Sequence, residues 1–479
     1  MPERYGLWIA GVEEFDDGRE TAAVVDPYAG KAVAEVEQAR PADVDRVVAS
    51  AVEAFHAARD EPGHVRAGRL RAVAGVIEEH AAELADTLVR TIGKPRPAAL
   101  AEARRGAAVA RLCAEEIVRF GGETLPVDGL PGGEGRWSLT FREPYGVAAV
   151  VTPFNAPINL LVQKLAPALA VGDAVVVKPS PEGAPLTNQL ARLLADRVPA
   201  GLVNVVHGGP DVVGHLVAHP DAAVVSLTGG VEAGRSVLAR AGVKPVFLEL
   251  GSNSPNIVLA DADLDDAATR IAAAAFKAGG QQCISAQRIF VHADVVHEFT
   301  DRIVAAARRL VVGDPSEEAT DLGPVVHDRA ATRVRDMISD AEERGAKVLL
   351  DGRGRDSSNL RLLGPTLLAD VPDGAALLRD EVFGPVAILQ RVEGLDAAIA
   401  DANRVEGILQ ASCFTRSLGD ATRAARELHA GSVWINEPTR FRLDVYPFGG
   451  YGQSGVGREG IRYAMEAFSQ VKHVGIRAL

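Results

Sequence analysis

The chain has 479 residues, is 47% hydrophobic and 24% charged, and carries a net charge of −13; this predicts two to four globular domains at roughly 150 residues each and excludes an extended nucleic-acid surface. Its three cysteines, Cys113, Cys283 and Cys413, are too scattered for a disulfide framework or a ligand pattern, so no metal is expected. No apolar run reaches the roughly 18–20 residues of a bilayer span and residues 1–5 hold no apolar signal core, so a cytoplasmic protein with no membrane partner is expected.

Residues 1–40 read as strands and turns, with Asp26-Pro27-Tyr28-Ala29-Gly30 as a turn. A helical stretch follows. Pro41-Ala42-Asp43 opens the first helix with an acid where the dipole favours one, and Val47, Val48, Ala51, Val52 and Phe55 recur at helical spacing. A second helix is predicted over about 64–89. A third, over 98–120, carries Arg104, Arg105 and Arg111. Residues 124–143 are rich in Gly and Pro and leave the compact body.

The period then changes. Short apolar runs at 147–151, 174–179, 202–206 and 223–227 alternate with helical stretches at 159–170, 187–196 and 212–218. That alternation predicts an α/β fold with a parallel, doubly wound sheet, whose ligands bind beyond the carboxyl ends of its strands. A second series follows, with strands at 255–259, 287–291, 346–350, 386–390, 410–414 and 432–435. Its helices are placed at 263–277, 296–311, 329–344, 395–405 and 418–428. The tail, 470–479, reads as a strand free to pair with another chain.

One turn concentrates reactive chemistry. Gly279-Gly280-Gln281-Gln282-Cys283-Ile284-Ser285 sets a thiol among glycines, which let backbone and substrate come close. Alone, such a cysteine fits a buried structural thiol as readily as a nucleophile. Unusual residues also close the strands upstream: Thr152-Pro153-Phe154-Asn155, Lys178-Pro179-Ser180-Pro181, Thr228-Gly229-Gly230-Val231-Glu232-Ala233-Gly234 and Phe247-Leu248-Glu249-Leu250-Gly251. Further on stand Glu381-Val382-Phe383-Gly384-Pro385 and Pro447-Phe448-Gly449-Gly450.

In this order, the set resembles the aldehyde dehydrogenase superfamily over nearly the whole chain. The resemblance implies a Rossmann-like dinucleotide-binding domain (1–123 with 144–248), an α/β catalytic domain (249–463), and a small β oligomerisation arm (124–143 with 464–479) joining a homodimer or homotetramer. It implies Cys283 as nucleophile, Asn155 as oxyanion donor and Glu249 as the base that hydrolyses a thioester. For NAD or NADP it implies Lys178 and Glu381 at the riboses, Phe383 beside the nicotinamide, and Gly229, Gly230 and Gly234 at a helix start facing the diphosphate. Thr152, Pro153, Phe154, Ser180, Gly209, Thr228 and Leu250 complete that wall. Pro181 replaces a glutamate that many NAD-preferring members carry, so NADP is expected to be used at least as well as NAD.

The acyl pocket is expected to contain Ala156, Asn159, Gln163, Gln282, Ile284, Arg442 and Phe448, with Arg105 and Arg111 nearby. This resembles members acting on small polar or anionic aldehydes, since guanidinium suits carboxylate and phosphonate. The same arginines also fit surface ion pairs. Three other readings are weighed. Gly229–Ser236 nearly fits a nucleotide-hydrolase phosphate loop but has Arg235 where that loop needs lysine. A coenzyme A-acylating relative would lack Glu249, and a non-catalytic relative would not need all of Cys283, Glu249 and Asn155.

Overall fold

A computed structural model describes residues 2–354 and 359–477. Two large sheets organise it. The first has eight strands in the order Gly455–Val456, Val246–Glu249, Ala222–Thr228, Val147–Thr152, Ala174–Pro179, Val203–Val205, Leu7–Ile9 and Val12–Glu14. Its five central strands run parallel, and the edge strands are antiparallel. Val147–Thr152 and Ala174–Pro179 are buried along their whole length, as expected where helices cover both faces. From Val147–Thr152 the chain winds outward to Val203–Val205, then returns to the other side at Ala222–Thr228. The crevice beyond those two strands is therefore the topological switch point, where such sheets take ligands.

The second sheet has seven strands: Lys347–Leu350, Thr366–Ala369, Val386–Val392, Arg288–His292, Pro255–Val258, Gln410–Phe414 and Ser432–Ile435. All are parallel except Lys347–Leu350. A third, smaller sheet has three strands. Ser469–Arg477 pairs antiparallel with Arg136–Pro144 along nine residues, and Thr124–Leu125 flanks them.

Several expectations are corrected here. The helix placed at 64–89 is two, Gly63–Glu79 and Ala81–Ile92, broken at His80. The tail does form the expected strand, paired on one side with Arg136–Pro144 of the same chain; residues 478 and 479 lie outside the described residues. Thr366–Ala369, absent from the predicted series, fills a place in the second sheet. The chain also crosses back late: Gly455–Val456 pairs with Val246–Glu249, and Ile461, Met465 and Phe468 join the first core.

Candidate active site

Each sheet supplies one rim of the site. Thr152–Asn155, Thr228–Gly230 and Glu249–Gly251 stand at or just after strands of the first sheet, whereas Cys283, Glu381 and Phe383 stand just before strands of the second. The carboxyl edge of one sheet thus meets the amino edge of the other. Between them lies a cavity of about 270 Å³ lined by Pro153, Phe154, Asn155, Thr228, Gly229, Gly230, Glu249, Leu250, Gly251, Cys283, Arg333, Glu381 and Phe383. Residues far apart in sequence are brought together here, with the Phe154 and Phe383 rings edge-to-face at 5.7 Å.

The Cys283 turn is built by backbone strain. Ala278, Gly279 and Gly280 all have positive φ. A side chain at Gly280 would lie 2.1 Å from the Gly384 carbonyl oxygen, so the turn packs directly on the backbone that follows Phe383. Phe383 itself sits at φ 47°, a conformation that costs energy and collects at functional sites. The side chain of Arg440 braces the turn, donating to Gln282 Oε1 at 2.8 Å and to the Ala273 carbonyl at 3.1 Å.

Burial raises the reactive groups above their ordinary values. Burial pushes the Cys283 thiol up, and Glu381 and Glu249 add to the effect. Burial also raises Glu249 well above the usual carboxylate range, with Glu459 next in weight. Glu459 moves the other way: Lys164 and Arg442 outweigh its burial and keep it ionised. Lys164 donates to Glu459 Oε1 at 2.6 Å from the middle of a helix, Pro157–Val171, that is buried throughout. Glu381 is pushed up to about 7 by burial.

Beside the cavity lies a polar chain. Arg442 donates to Glu459 Oε2 at 3.0 Å and to Gln163, and it stacks 3.6 Å from the Phe448 ring centroid. Gln163 donates to Asp444 at 2.9 Å, and Arg105 holds the same carboxylate in a two-pronged contact at 2.7 and 2.9 Å. Ile284 and Phe448 pack in a small apolar cluster that Cys283 and Tyr446 border.

Other expected residues sit elsewhere. Arg111 pairs with Glu78 on the exposed surface, away from this chain of contacts. The Gly234 amide is already given to the Gly230 carbonyl, so it has no donor free for a diphosphate; its missing side chain instead admits Leu250, which a Cβ would meet at 2.7 Å. Asn159 is buried, with its amide N–H on Glu102. Arg235 is exposed and bonded to Glu232 and Gln453, which leaves no phosphate-loop cation. Sequence reasoning missed Arg333, Lys164, Glu459, Arg440 and His207. Only Lys164 gave a signal, a cation inside an apolar helical run.

The sequence profile of the aldehyde dehydrogenase family matches residues 15–474. The chain belongs to the aldehyde dehydrogenase family. It is 36% identical to the 3-sulfolactaldehyde dehydrogenase of Priestia aryabhattai over 98% of this chain and 97% of that one. Its fold matches an NADP-dependent glyceraldehyde-3-phosphate dehydrogenase of Bacillus halodurans, solved with NADP, at TM-score 0.95 and 33% identity, over 99% of both chains. It matches equally, at TM-score 0.95 and 32% identity, an aldehyde dehydrogenase of Physcomitrella patens solved with its product succinate, over 100% of this chain and 99% of that one. The protein is an NAD(P)-dependent aldehyde dehydrogenase. Among the described residues no helix is long and apolar enough to cross a membrane, and no three His, Cys, Asp or Glu side chains group as metal ligands.

Groups left over in this aldehyde dehydrogenase fit a nicotinamide dinucleotide. Lys178 is buried, and burial brings its ammonium down to about 8 against a weaker pull from Glu182. Thr152 and Thr228 each bury a hydroxyl that lacks a protein partner. Ser180, Pro181 and His207 border a small recess just past Lys178.

Proposed function

We propose that this aldehyde dehydrogenase oxidises a small anionic aldehyde to its carboxylic acid through a thioester on Cys283. The observation carrying the reading is that Cys283, Asn155 and Glu249 line one cavity, with Glu381 and Phe383 on its wall. Cys283, once its thiol proton has passed to solvent, adds through Sγ to the carbonyl carbon; the C=O π bond opens to an oxyanion and the adduct is a thiohemiacetal. The Cys283 amide and the Asn155 side chain make no other hydrogen bond among the described residues, so both can donate to the developing oxyanion. When bound, the nicotinamide cofactor supplies the oxidant that converts the thiohemiacetal to a thioester. Lys178, the Gly230 helix start, Glu381 and Phe383 are assigned to holding it. Glu249, once ionised, takes a proton from water, which then cleaves the thioester.

The substrate class follows from charge. Arg442 is buried and bonded to Glu459 and Gln163, yet its Nε–H finds no hydrogen-bond partner among the described residues. A desolvated guanidinium with a donor to spare suits an anionic group on the aldehyde, since a hydrogen bond to a charged group contributes about 1.5–3 kcal/mol. The named relatives fit this pattern: their substrates or products bear a sulfonate, a phosphate or a second carboxylate. Succinate semialdehyde and butanal, compared by absorbance of the reduced nicotinamide with each cofactor, test the reading. The anionic aldehyde is expected to have the higher kcat/KM by at least about tenfold, and NADP to serve as well as NAD or better. Equal values for both aldehydes would overturn the substrate class. A preference for NAD beyond about a hundredfold, near 2.7 kcal/mol, would overturn the reading of Pro181.

A further inference from the structure

We infer that Lys94 and Glu102 are positioning residues that fix the oxyanion loop. Both are buried, with 8% and 7% of their surface exposed, and they form an ion pair. A buried pair of this kind needs further hydrogen bonds to offset its desolvation, and here all of those recorded fall on one short segment. Lys94 Nζ donates to the Asn155 carbonyl at 2.6 Å. Glu102 Oε1 accepts from the amides of Ile158 at 2.9 Å and Asn159 at 3.3 Å.

The segment needs such help. Ala156, the residue before the helix Pro157–Val171, offers no side-chain cap, and Pro157 has no N–H. Glu102 caps the helix from outside, placing a negative charge where the dipole favours one. Lys94 draws the other end of the segment inward. The backbone is thereby held at the Asn155 carbonyl and again three residues on, next to a side chain that shares the cavity with Cys283. Neither ion touches the cavity, so neither is a catalytic residue.

This rests on the reading of Asn155 as oxyanion donor, and a double-mutant cycle separates the two. The readouts are the pre-steady-state burst of reduced nicotinamide and, with no cofactor present, cleavage of p-nitrophenyl acetate. Asn155→Ala alone is expected to slow both by about 10²–10³-fold, the cost of losing one oxyanion donor. Lys94→Met is expected to slow both by about 10–100-fold, as a misplaced group does, with aldehyde KM and NADP affinity within about threefold of the parent. In the Asn155→Ala background the same Lys94→Met change should cost less than about threefold, because nothing remains to position. If Lys94→Met costs the same in both backgrounds, the positioning role is overturned while the donor role stands. If Asn155→Ala costs nothing, the donor role falls first. Should Lys94→Met melt below the assay temperature, Glu102→Gln keeps the shape and removes the charge, and the same non-additivity is required of it.

Discussion

Glu249 and Cys283 line one cavity, and burial raises both above their ordinary values. The consequence is a sign. A carboxyl raised above its ordinary value gains its basic form only as pH climbs, so thioester hydrolysis should keep accelerating with pH well beyond the ordinary carboxylate range. No plateau is expected just above the ordinary glutamate value. Glu249→Gln should keep a burst of one reduced nicotinamide per site and slow steady turnover by about 10²–10⁴-fold, leaving only the slope due to hydroxide. Stopped-flow absorbance checks this, and undiminished steady turnover would remove Glu249 from the mechanism. Arg442 makes a separable prediction at the same scale. Its loss also shifts Glu249, so kcat should fall for every aldehyde; KM should rise about 10–100-fold for succinate semialdehyde and less than about threefold for propanal. Equal KM changes would leave Arg442 as only the partner of Glu459.

Elements differ in how plainly their sequences announce them. The runs at Val147–Thr152 and Ala174–Pro179 could be read because a strand buried on both faces must be continuously apolar. The Cys283 turn could be read because few residues tolerate the backbone it adopts. Gly280→Ala shows how sharply that matters: φ is +63° and the new methyl group would meet the Gly384 carbonyl. The turn must shift against Phe383 and Glu381, so kcat/KM should drop by about a hundredfold with a lowered melting temperature. Wild-type kcat/KM would show that the turn has slack. What stayed hidden was pairing through space. Thr366–Ala369 is four residues flanked by loop, too short for a period to show. Gly455–Val456 is a strand only because Val246–Glu249 lies beside it. Lys94 and Glu102, or Arg442 and Glu459, carry no spacing that marks them as partners, since a charge finds its partner by proximity in the fold and not along the chain.

At the scale of the molecule, residues 1–40 are more than a lead-in, because a buried ion cluster ties them to the first helix. Arg19 donates to Glu37 at 2.9 Å and to both oxygens of Asp43 at 2.9 and 3.2 Å, all three side chains being almost fully buried. Burial alone would raise Asp43, but the hydrogen bonds from Arg19 and from the Arg40 amide and guanidinium outweigh it and hold the carboxyl well below the usual range. A carboxyl lowered in this way adds stability above its unfolded-state value, and that stability is lost as pH falls through and below it. Asp43→Asn leaves Arg19 half-paired in a dry site, where breaking such a pair costs about 3–5 kcal/mol. Urea unfolding at pH 7 should show that loss, and the gap between variant and parent should narrow as the titration is taken below pH 4. The cluster touches none of the cavity's lining, so kcat/KM of the folded variant should stay within about twofold of the parent. A stability change under about 1 kcal/mol would mean that water reaches the cluster and that the amino-terminal strands are held by apolar packing alone.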